Sequence, residues 1–198
     1  IGFTRNIQED YVNKDLLFLG TEFGLYVTIN GGDKWSKFTK NVPPVAIHYI
    51  ELQSNTNDLV MGTHGRGVII IDDISPLREI NEENLSNKLY FFERDEFEIQ
   101  EFGGFADNFG RETQFIGPNS SLSCQIQYLL PKRHTFGKMT MEIQDMNGNK
   151  ITTLNPGKSK GINTVEWNYN MRTPKIAKGK TLSFGGFTSP MVPAGEYK

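Results

Sequence analysis

The sequence contains a single cysteine among its 198 residues, Cys124, so a disulfide within the chain is excluded. Cys124 lies in a run of alternating apolar residues, which favours a buried structural thiol over a reactive one. No apolar run is long enough to span a membrane as a helix. With a formal net charge of -2, the chain also lacks the basic character expected of a protein that binds nucleic acid.

Helical periodicity and metal-ligand spacing are scarce as well. Apolar residues recur at helical spacing only between Pro76 and Lys88, where one or two turns are predicted. His48 and His134 are isolated from each other and from Cys124 in the sequence, so no metal site and no cofactor are predicted. Instead, 20 glycines and turns rich in asparagine alternate with short apolar runs, a pattern that predicts an all-β fold.

What the sequence does contain is one pattern written twice. In residues 15–28 and again in residues 58–71, an apolar run ends in Gly-Thr, a turn containing glycine follows, and a second apolar run leaves the turn. Each copy predicts a β-hairpin, and a repeat of roughly forty residues built from short strands is typical of β-propeller blades. Because two blades cannot close a ring, we expect the chain to be the C-terminal part of a larger protein.

Between the two copies, residues 28–35 fit the Asp-box pattern Ser/Thr-x-Asp/Asn-x-Gly-x-x-Trp, which forms the turn between the third and fourth strands of a propeller blade. Asn30 is suited to an Asx-turn, and Gly32 accepts a left-handed backbone without strain. Trp35 is expected to fold beneath the turn, where full burial would contribute on the order of 5 kcal/mol at most. Thr28, Asn30, Gly32 and Trp35 are therefore predicted to stabilise a blade and not to catalyse.

The composition predicts two modules and a linker. Residues 1–95 are expected to form a partial β-propeller of about two blades, residues 96–111 a linker, and residues 112–198 a small immunoglobulin-like β-sandwich truncated at its last strand. Acidic side chains are in excess in the first module and basic side chains in the second. Leu89–Phe92 is predicted to complete the last blade, and the unbroken apolar run Val68–Ile71 to be a strand covered on both faces.

Four features together resemble the last blades of the sortilin-like, BNR-repeat propeller proteins of Bacteroidetes, which often carry the label glycosyl hydrolase. They are the Gly-Thr repeats, the Asp-box, the Gly-Thr-His-Gly-Arg-Gly turn at 62–67 and the Asp-Asp-Ile-Ser-Pro ending at 72–76. Residues 143–149, 161–168 and 192–197 are similar to the Ig-like domain that follows such propellers, which is itself similar to the flagellar hook-capping Ig-like domain.

This resemblance implies export to the periplasm, the cell surface or the extracellular space, with type IX secretion as a route. It implies as partners the other parts of the full-length chain and a surface or outer-membrane protein complex, with carbohydrate as a further ligand and no nucleic acid. The preferred function is a non-catalytic scaffold or binding portion that acts in cell-surface assembly or ligand binding. The alternative is the C-terminal part of a glycoside hydrolase, a xyloglucanase-like or sialidase-like propeller, whose catalytic carboxylates lie upstream. No residue of this chain matches those acids.

Two residues of the second Gly-rich turn are candidates for binding. Arg66 offers a planar fork of donors to an anion or to sugar hydroxyls, and His64 lies two positions before it. The interpretation that the sequence favours is structural, with both side chains bonded to backbone carbonyls between blades. Asp72 and Asp73 are not expected to form a catalytic pair, because adjacent strand residues point to opposite faces; one of them is predicted to cap the turn that follows.

Overall fold

In a computed structural model, the described residues are 2–94, 123–175 and 189–198. They form short strands in several small antiparallel sheets, with two helices of one to two turns, so the fold is all-β as predicted. No helix among these residues has the length and apolar character needed to cross a membrane. The chain divides into two compact units, Ile1–Asn87 and Lys88–Lys198. The predicted linker, residues 96–111, lies outside the described residues.

Sheet 1 of the first unit is a four-stranded antiparallel meander whose strands follow chain order. Its strands are β1 (Thr4–Glu9), β2 (Leu17–Thr21), β3 (Gly24–Thr28) and β4 (Ser36–Phe38). Phe18 pairs with Val27 and Gly20 with Leu25, so these four residues share one face of the sheet, which we call the inner face. Residues of the opposite parity form the outer face.

Sheet 2 of the same unit is a three-stranded antiparallel meander. Its strands are β5 (Ile47–Gln53), β6 (Asp58–Thr63) and β7 (Val68–Ile71). Ile50 pairs with Met61, and Met61 with Ile69, so these three residues share the inner face of sheet 2. The two sheets therefore repeat the same hairpin, as the doubled sequence pattern predicts.

The inner faces of the two sheets pack against each other around one continuous apolar core. Its buried residues are Leu16, Phe18, Leu25, Val42, Ile47, Ile50, Leu52, Leu59, Met61 and Ile74. The sheets approach most closely at Gly20, where an added Cβ atom would lie 2.9 Å from the carbonyl oxygen of Ile47. Only glycine leaves room for a neighbouring backbone at that distance.

The β7 strand contradicts one expectation. Its unbroken apolar sequence predicted cover on both faces, but Val68 and Ile70 are 64% and 55% exposed. Ile69 and Ile71 pack against the core on the other face. The prediction is wrong because the run records which residues are apolar and not whether a second sheet lies against them.

The segment predicted to be helical contains two short helices, α1 (Ser75–Glu79) and α2 (Glu82–Ser86). Proline in the first turn of α1 suits a position whose backbone N–H has no helical partner. The side chain of Asn81 caps α2 by accepting a hydrogen bond of 2.8 Å from the backbone N–H of Asn84. Asn84 in turn donates its side-chain amide to the carbonyl of Glu79, which links the two helices.

A buried ion pair joins α1 to the loop after β1. The guanidinium of Arg78 donates to both carboxylate oxygens of Asp10, with Nε–Oδ2 and Nη2–Oδ1 distances of 2.9 Å. The same carboxylate accepts the backbone N–H of Asn13, and Arg78 also donates to the side-chain oxygen of Asn57. The ring of Tyr11 lies 4.8 Å from the guanidinium carbon. These bonds compensate for removing both charges from water.

The second unit contains two small sheets. One has the strand order β12-β9-β8 and the other pairs β10 with β11. Their strands are β8 (Tyr90–Phe91), β9 (Cys124–Leu130), β10 (Met141–Gln144), β11 (Lys150–Leu154) and β12 (Gly161–Trp167). The β10–β11 hairpin turns at Asn147-Gly148 as predicted, with Gly148 at a φ of +84°. Backbone bonds between Gln144 and Lys198 then add the C-terminal segment beside β10.

The β8 strand was expected in the last blade, and that expectation is wrong. Tyr90 pairs with Leu129, and Phe91 with Tyr128, so β8 belongs to the sheet of the second unit. The rings of Phe91 and Tyr128 lie 5.9 Å apart. The pairing gives the outer edge of β9 its backbone partners and adds an aromatic contact, which a strand pattern alone does not specify.

The described core of the second unit consists of two separate clusters. Their buried members are Tyr128, Leu130 and Met141 in one, and Ile143, Trp167 and Val192 in the other. Trp167 is 6% exposed, and its indole N–H donates to the carbonyl of Asn170 at 3.1 Å. The prediction that Trp167 is a core residue is confirmed.

Candidate functional site

The Asp-box residues form a closed turn between β3 and β4. The hydroxyl of Thr28 donates to the side-chain oxygen of Asn30 at 2.8 Å and accepts the backbone N–H of Gly32 at 3.1 Å. The side-chain oxygen of Asn30 also accepts the backbone N–H of Lys34 at 3.0 Å. Gly32 has a φ of +100°, a conformation that favours glycine. The polar side chains of the motif are thus engaged with the backbone of their own turn.

The indole of Trp35 lies against this turn. A Cβ atom added to Gly32 would lie 3.8 Å from the indole nitrogen. Trp35 is only half-buried, however, so the complete burial assumed from the sequence is not reached. Its contribution to stability therefore lies below the 5 kcal/mol upper bound, because the hydrophobic term scales with the area removed from water.

The second Gly-rich turn joins β6 to β7 and exposes two candidate residues. The carbonyl of Gly67 accepts both the hydroxyl and the backbone N–H of Thr63, at 2.7 and 3.0 Å. Gly65 and Gly67 have φ values of +78° and +66°, so the turn depends on their lack of a Cβ atom. His64 and Arg66 are both exposed at its tip.

The β5 strand brings a third side chain to this turn. The rings of His48 and His64 stack with centroids 5.5 Å apart and an angle of 20° between their planes. The backbone N–H of His64 donates to the carbonyl of Ala46 at 2.9 Å, which fixes β5 beside the turn. His48 was not predicted to belong here, because it is far from His64 in sequence. Counting back along the β5–β6 hairpin from its turn would have placed position 48 near position 64.

The guanidinium of Arg66 makes no hydrogen bond or ion pair with residues 2–94, 123–175 or 189–198. The carbonyl contact of His64 is made by its backbone N–H. The structural interpretation favoured by the sequence, with both side chains bonded to carbonyls between blades, is therefore not what these residues show. We call His48, His64 and Arg66 the histidine–arginine edge. Two imidazoles and a guanidinium offer several donors, which suit carboxylate, sulfate, phosphate or hydroxyl oxygens.

The other candidate acids have structural positions. The carboxylate of Asp73 accepts the hydroxyl and the backbone N–H of Ser75, at 2.5 and 3.2 Å, and its own N–H donates to Asp58. Asp73 therefore closes the turn before α1, which confirms the prediction that one aspartate of the pair caps this turn. Within the described chain, no group of three or more histidine, cysteine or acidic residues is placed to hold a metal ion.

The described part of the second unit contains a cleft of about 910 Å³. Its lining includes the apolar or aromatic side chains of Cys124, Ile143, Trp167, Tyr169 and Tyr197. Burial raises the pKa of the Cys124 thiol, which keeps it protonated and agrees with the predicted structural role.

No protein-family model, no curated protein and no solved structure matches this chain. The resemblance to BNR-repeat propellers and the roles that it implies therefore stay predictions. The histidine–arginine edge is the arrangement whose donors are directed to solvent without a described partner, and we take it as the candidate binding site.

Proposed function

We propose that this chain is a non-catalytic binding and scaffold portion of an exported β-propeller protein that acts in cell-surface assembly or ligand binding. In this proposal the first unit supplies blades, and the second is the Ig-like sandwich that follows them. The architecture is supported by sheet 1, a four-stranded meander in chain order whose third and fourth strands are joined by the Asp-box turn. Such a meander is the unit from which propellers are built. The partners are the rest of the full-length chain and a surface or outer-membrane complex.

The observation that carries the binding role is the histidine–arginine edge. Arg66 has no described partner to release, so a ligand that binds it does not have to break a protein hydrogen bond. Its planar fork matches the two oxygens of a carboxylate, and the two stacked imidazoles offer further donors beside it. An acidic oligosaccharide, which combines carboxylates with hydroxyl groups, is the ligand class that this arrangement fits best.

Hydrolysis receives less support from the described carboxyl groups. A glycoside hydrolase needs two of them, one with a raised pKa so that it holds a proton to donate. The pKa of Glu142 is lowered by its bond to Lys150, and the pKa of Asp145 is lowered by its bond to Asn149. Both shifts favour the ionised form, which is the wrong direction for a general acid.

Binding of tetragalacturonate, measured by isothermal titration calorimetry at low salt, tests the proposal. We expect Arg66→Ala to weaken binding by about tenfold, because about 1.4 kcal/mol corresponds to one lost charge-assisted hydrogen bond. Arg133→Ala removes another exposed arginine, in the second unit, and is the matched control expected to bind like the wild type. Release of reducing ends from tetragalacturonate and from xyloglucan oligosaccharides is measured in the same samples.

Equal affinity of Arg66→Ala and the wild type would remove the histidine–arginine edge from the proposal. Newly formed reducing ends would contradict the non-catalytic role and favour the glycoside hydrolase alternative. Export is tested separately, by whether protease added to intact cells digests the full-length protein.

A further inference from the structure

The outer face of sheet 2 is apolar and open. The strand register places Val60, Val68 and Ile70 on this face together with Tyr49 and Gly62. Tyr49, Val68 and Ile70 are 58%, 64% and 55% exposed. Three large exposed apolar side chains on one flat surface are unusual unless another surface covers them.

The internal repeat identifies what covers the same positions in sheet 1. When Gly62-Thr63 is matched to Gly20-Thr21, Val68 corresponds to Leu25, and Ile70 to Val27. Leu25 is fully buried and Val27 packs against the core, both on the inner face of sheet 1. The outer face of sheet 2 is therefore the counterpart of a face that, one repeat earlier, packs on a neighbouring sheet.

The two matched glycines support this correspondence. Gly20 lies so close to Ile47 of the adjacent sheet that a Cβ atom would be 2.9 Å from its carbonyl oxygen. At Gly62 the nearest atom to such a Cβ is 3.6 Å away and belongs to Tyr49 of the same sheet. Gly62 thus leaves the space for a close neighbouring backbone that Gly20 uses.

The outer face of sheet 1 is the counterpart of the other half of the buried interface. Ile7 pairs with Leu19 as Ile50 pairs with Met61, so Ile7 corresponds to Ile50, and Leu19 to Met61. Ile50 and Met61 are 1% and 0% exposed, whereas Ile7 is 55% exposed. Both halves of the sheet–sheet interface inside the first unit are therefore repeated on its outside.

We propose that these outer faces bind each other between copies of this chain. The outer face of sheet 2 in one copy packs on the outer face of sheet 1 in a second copy and reproduces the interface between the two sheets of one chain. Because two different surfaces meet, each added copy presents a new open face, and association continues beyond a dimer unless a ring closes. The inference rests on the repeat and goes beyond the proposed binding function.

Sedimentation velocity over a dilution series of the whole chain tests this inference. We expect the average mass of the wild type to rise with concentration. Ile70→Glu disables the outer face of sheet 2 and Ile7→Glu that of sheet 1. We expect each variant alone to associate at least about tenfold more weakly, because an unpaired charge would be buried at the contact. Phe136→Glu, at a position 85% exposed in the second unit, is the matched control expected to associate like the wild type.

An equimolar mixture of the Ile70→Glu and Ile7→Glu variants gives the sharpest result. The intact sheet 2 face of one variant meets the intact sheet 1 face of the other, so we expect a one-to-one dimer that grows no further. A wild type that stays monomeric, a single variant that still associates fully, or a mixture that stays monomeric overturns the proposal. Circular dichroism checks that each variant is folded, and Ile70→Ser and Ile7→Ser replace any glutamate variant that is not.

Discussion

The two units of the chain are built from similar short antiparallel strands, but they bury their apolar side chains differently. In the described residues of the first unit, ten buried side chains form one continuous cluster between two sheets. In those of the second unit, the buried side chains form two separate clusters of three. A larger continuous core removes more apolar surface from water, so we expect the second unit to unfold at lower denaturant concentration.

The difference shows what a repeat adds to a small β-structure. Because sheet 1 and sheet 2 carry apolar residues at matching positions, the inner face of one fits the inner face of the other along its full length. The second unit has no such doubled pattern, and its sheets meet through smaller groups of side chains. The repeat thus supplies a core and, by the same logic, the open outer faces.

Core truncation is expected to have the largest effect and to separate the two units. Phe18 is fully buried in the first unit, and its replacement by alanine should cost about 3–5 kcal/mol. Met141→Ala, in a small cluster of the second unit, should cost about 2–3 kcal/mol. Urea unfolding followed by circular dichroism should show two transitions, each moved by one variant. A single transition moved by both would break the comparison.

Alanine at the two matched glycines sharpens the comparison within the first unit. Gly20→Ala should destabilise by about 1–3 kcal/mol, because its Cβ atom would overlap the Ile47 carbonyl of the other sheet. Gly62→Ala meets only an ordinary contact and should stay within about 0.5 kcal/mol of the wild type. Urea midpoints at high dilution measure both. Equal losses would mean that the close approach at Gly20 is not specific to the sheet–sheet interface.

The smallest expected effect is a pH-dependent one in the second unit. The ion pair of Glu142 with Lys150, 2.5 Å between Oε1 and Nζ, lowers the pKa of Glu142 below its ordinary value of 4.5. A lowered folded-state pKa means that the pair stabilises the fold above pH 4.5, and that this stabilisation is lost as the pH falls through the folded-state pKa. Both groups are exposed, so the effect is small and screened by salt.

The wild type should therefore melt slightly above Glu142→Gln at pH 7 in low salt, and the two should converge near pH 2. Differential scanning calorimetry at both pH values and at two salt concentrations measures this. A melting difference that is the same at pH 7 and pH 2 would show that the glutamine acts through packing and not through the lost charge.

Strands and turns were predictable wherever their cause is local. The pattern at 59–63 predicted a strand that the structure places at Asp58–Thr63, and Asn147-Gly148 predicted the β10–β11 turn. Partners were not predictable in the same way. Leu89–Phe92 reads as a strand in any sheet, and its pairing with β9 depends on an edge supplied by residues far along the chain.

The same distinction applies to the candidate sites. Every hydrogen bond of the Asp-box turn joins residues a few positions apart, so the motif predicted them. The histidine–arginine edge was predicted only in part, because His48 reaches His64 through strand register. The ion pair of Asp10 with Arg78 left no sequence signal, since neither residue belongs to a motif.

That ion pair joins residues 68 positions apart in the chain. A ribosome releases β1 and Asp10 long before Arg78, so the carboxylate of Asp10 stays hydrated until both sheets have been synthesised. Closing so long a loop is entropically costly, and the contact is gained only when the sheets that bring its ends together already exist. We therefore expect the loop after β1 to lock in place late in folding, as the step that completes the first unit.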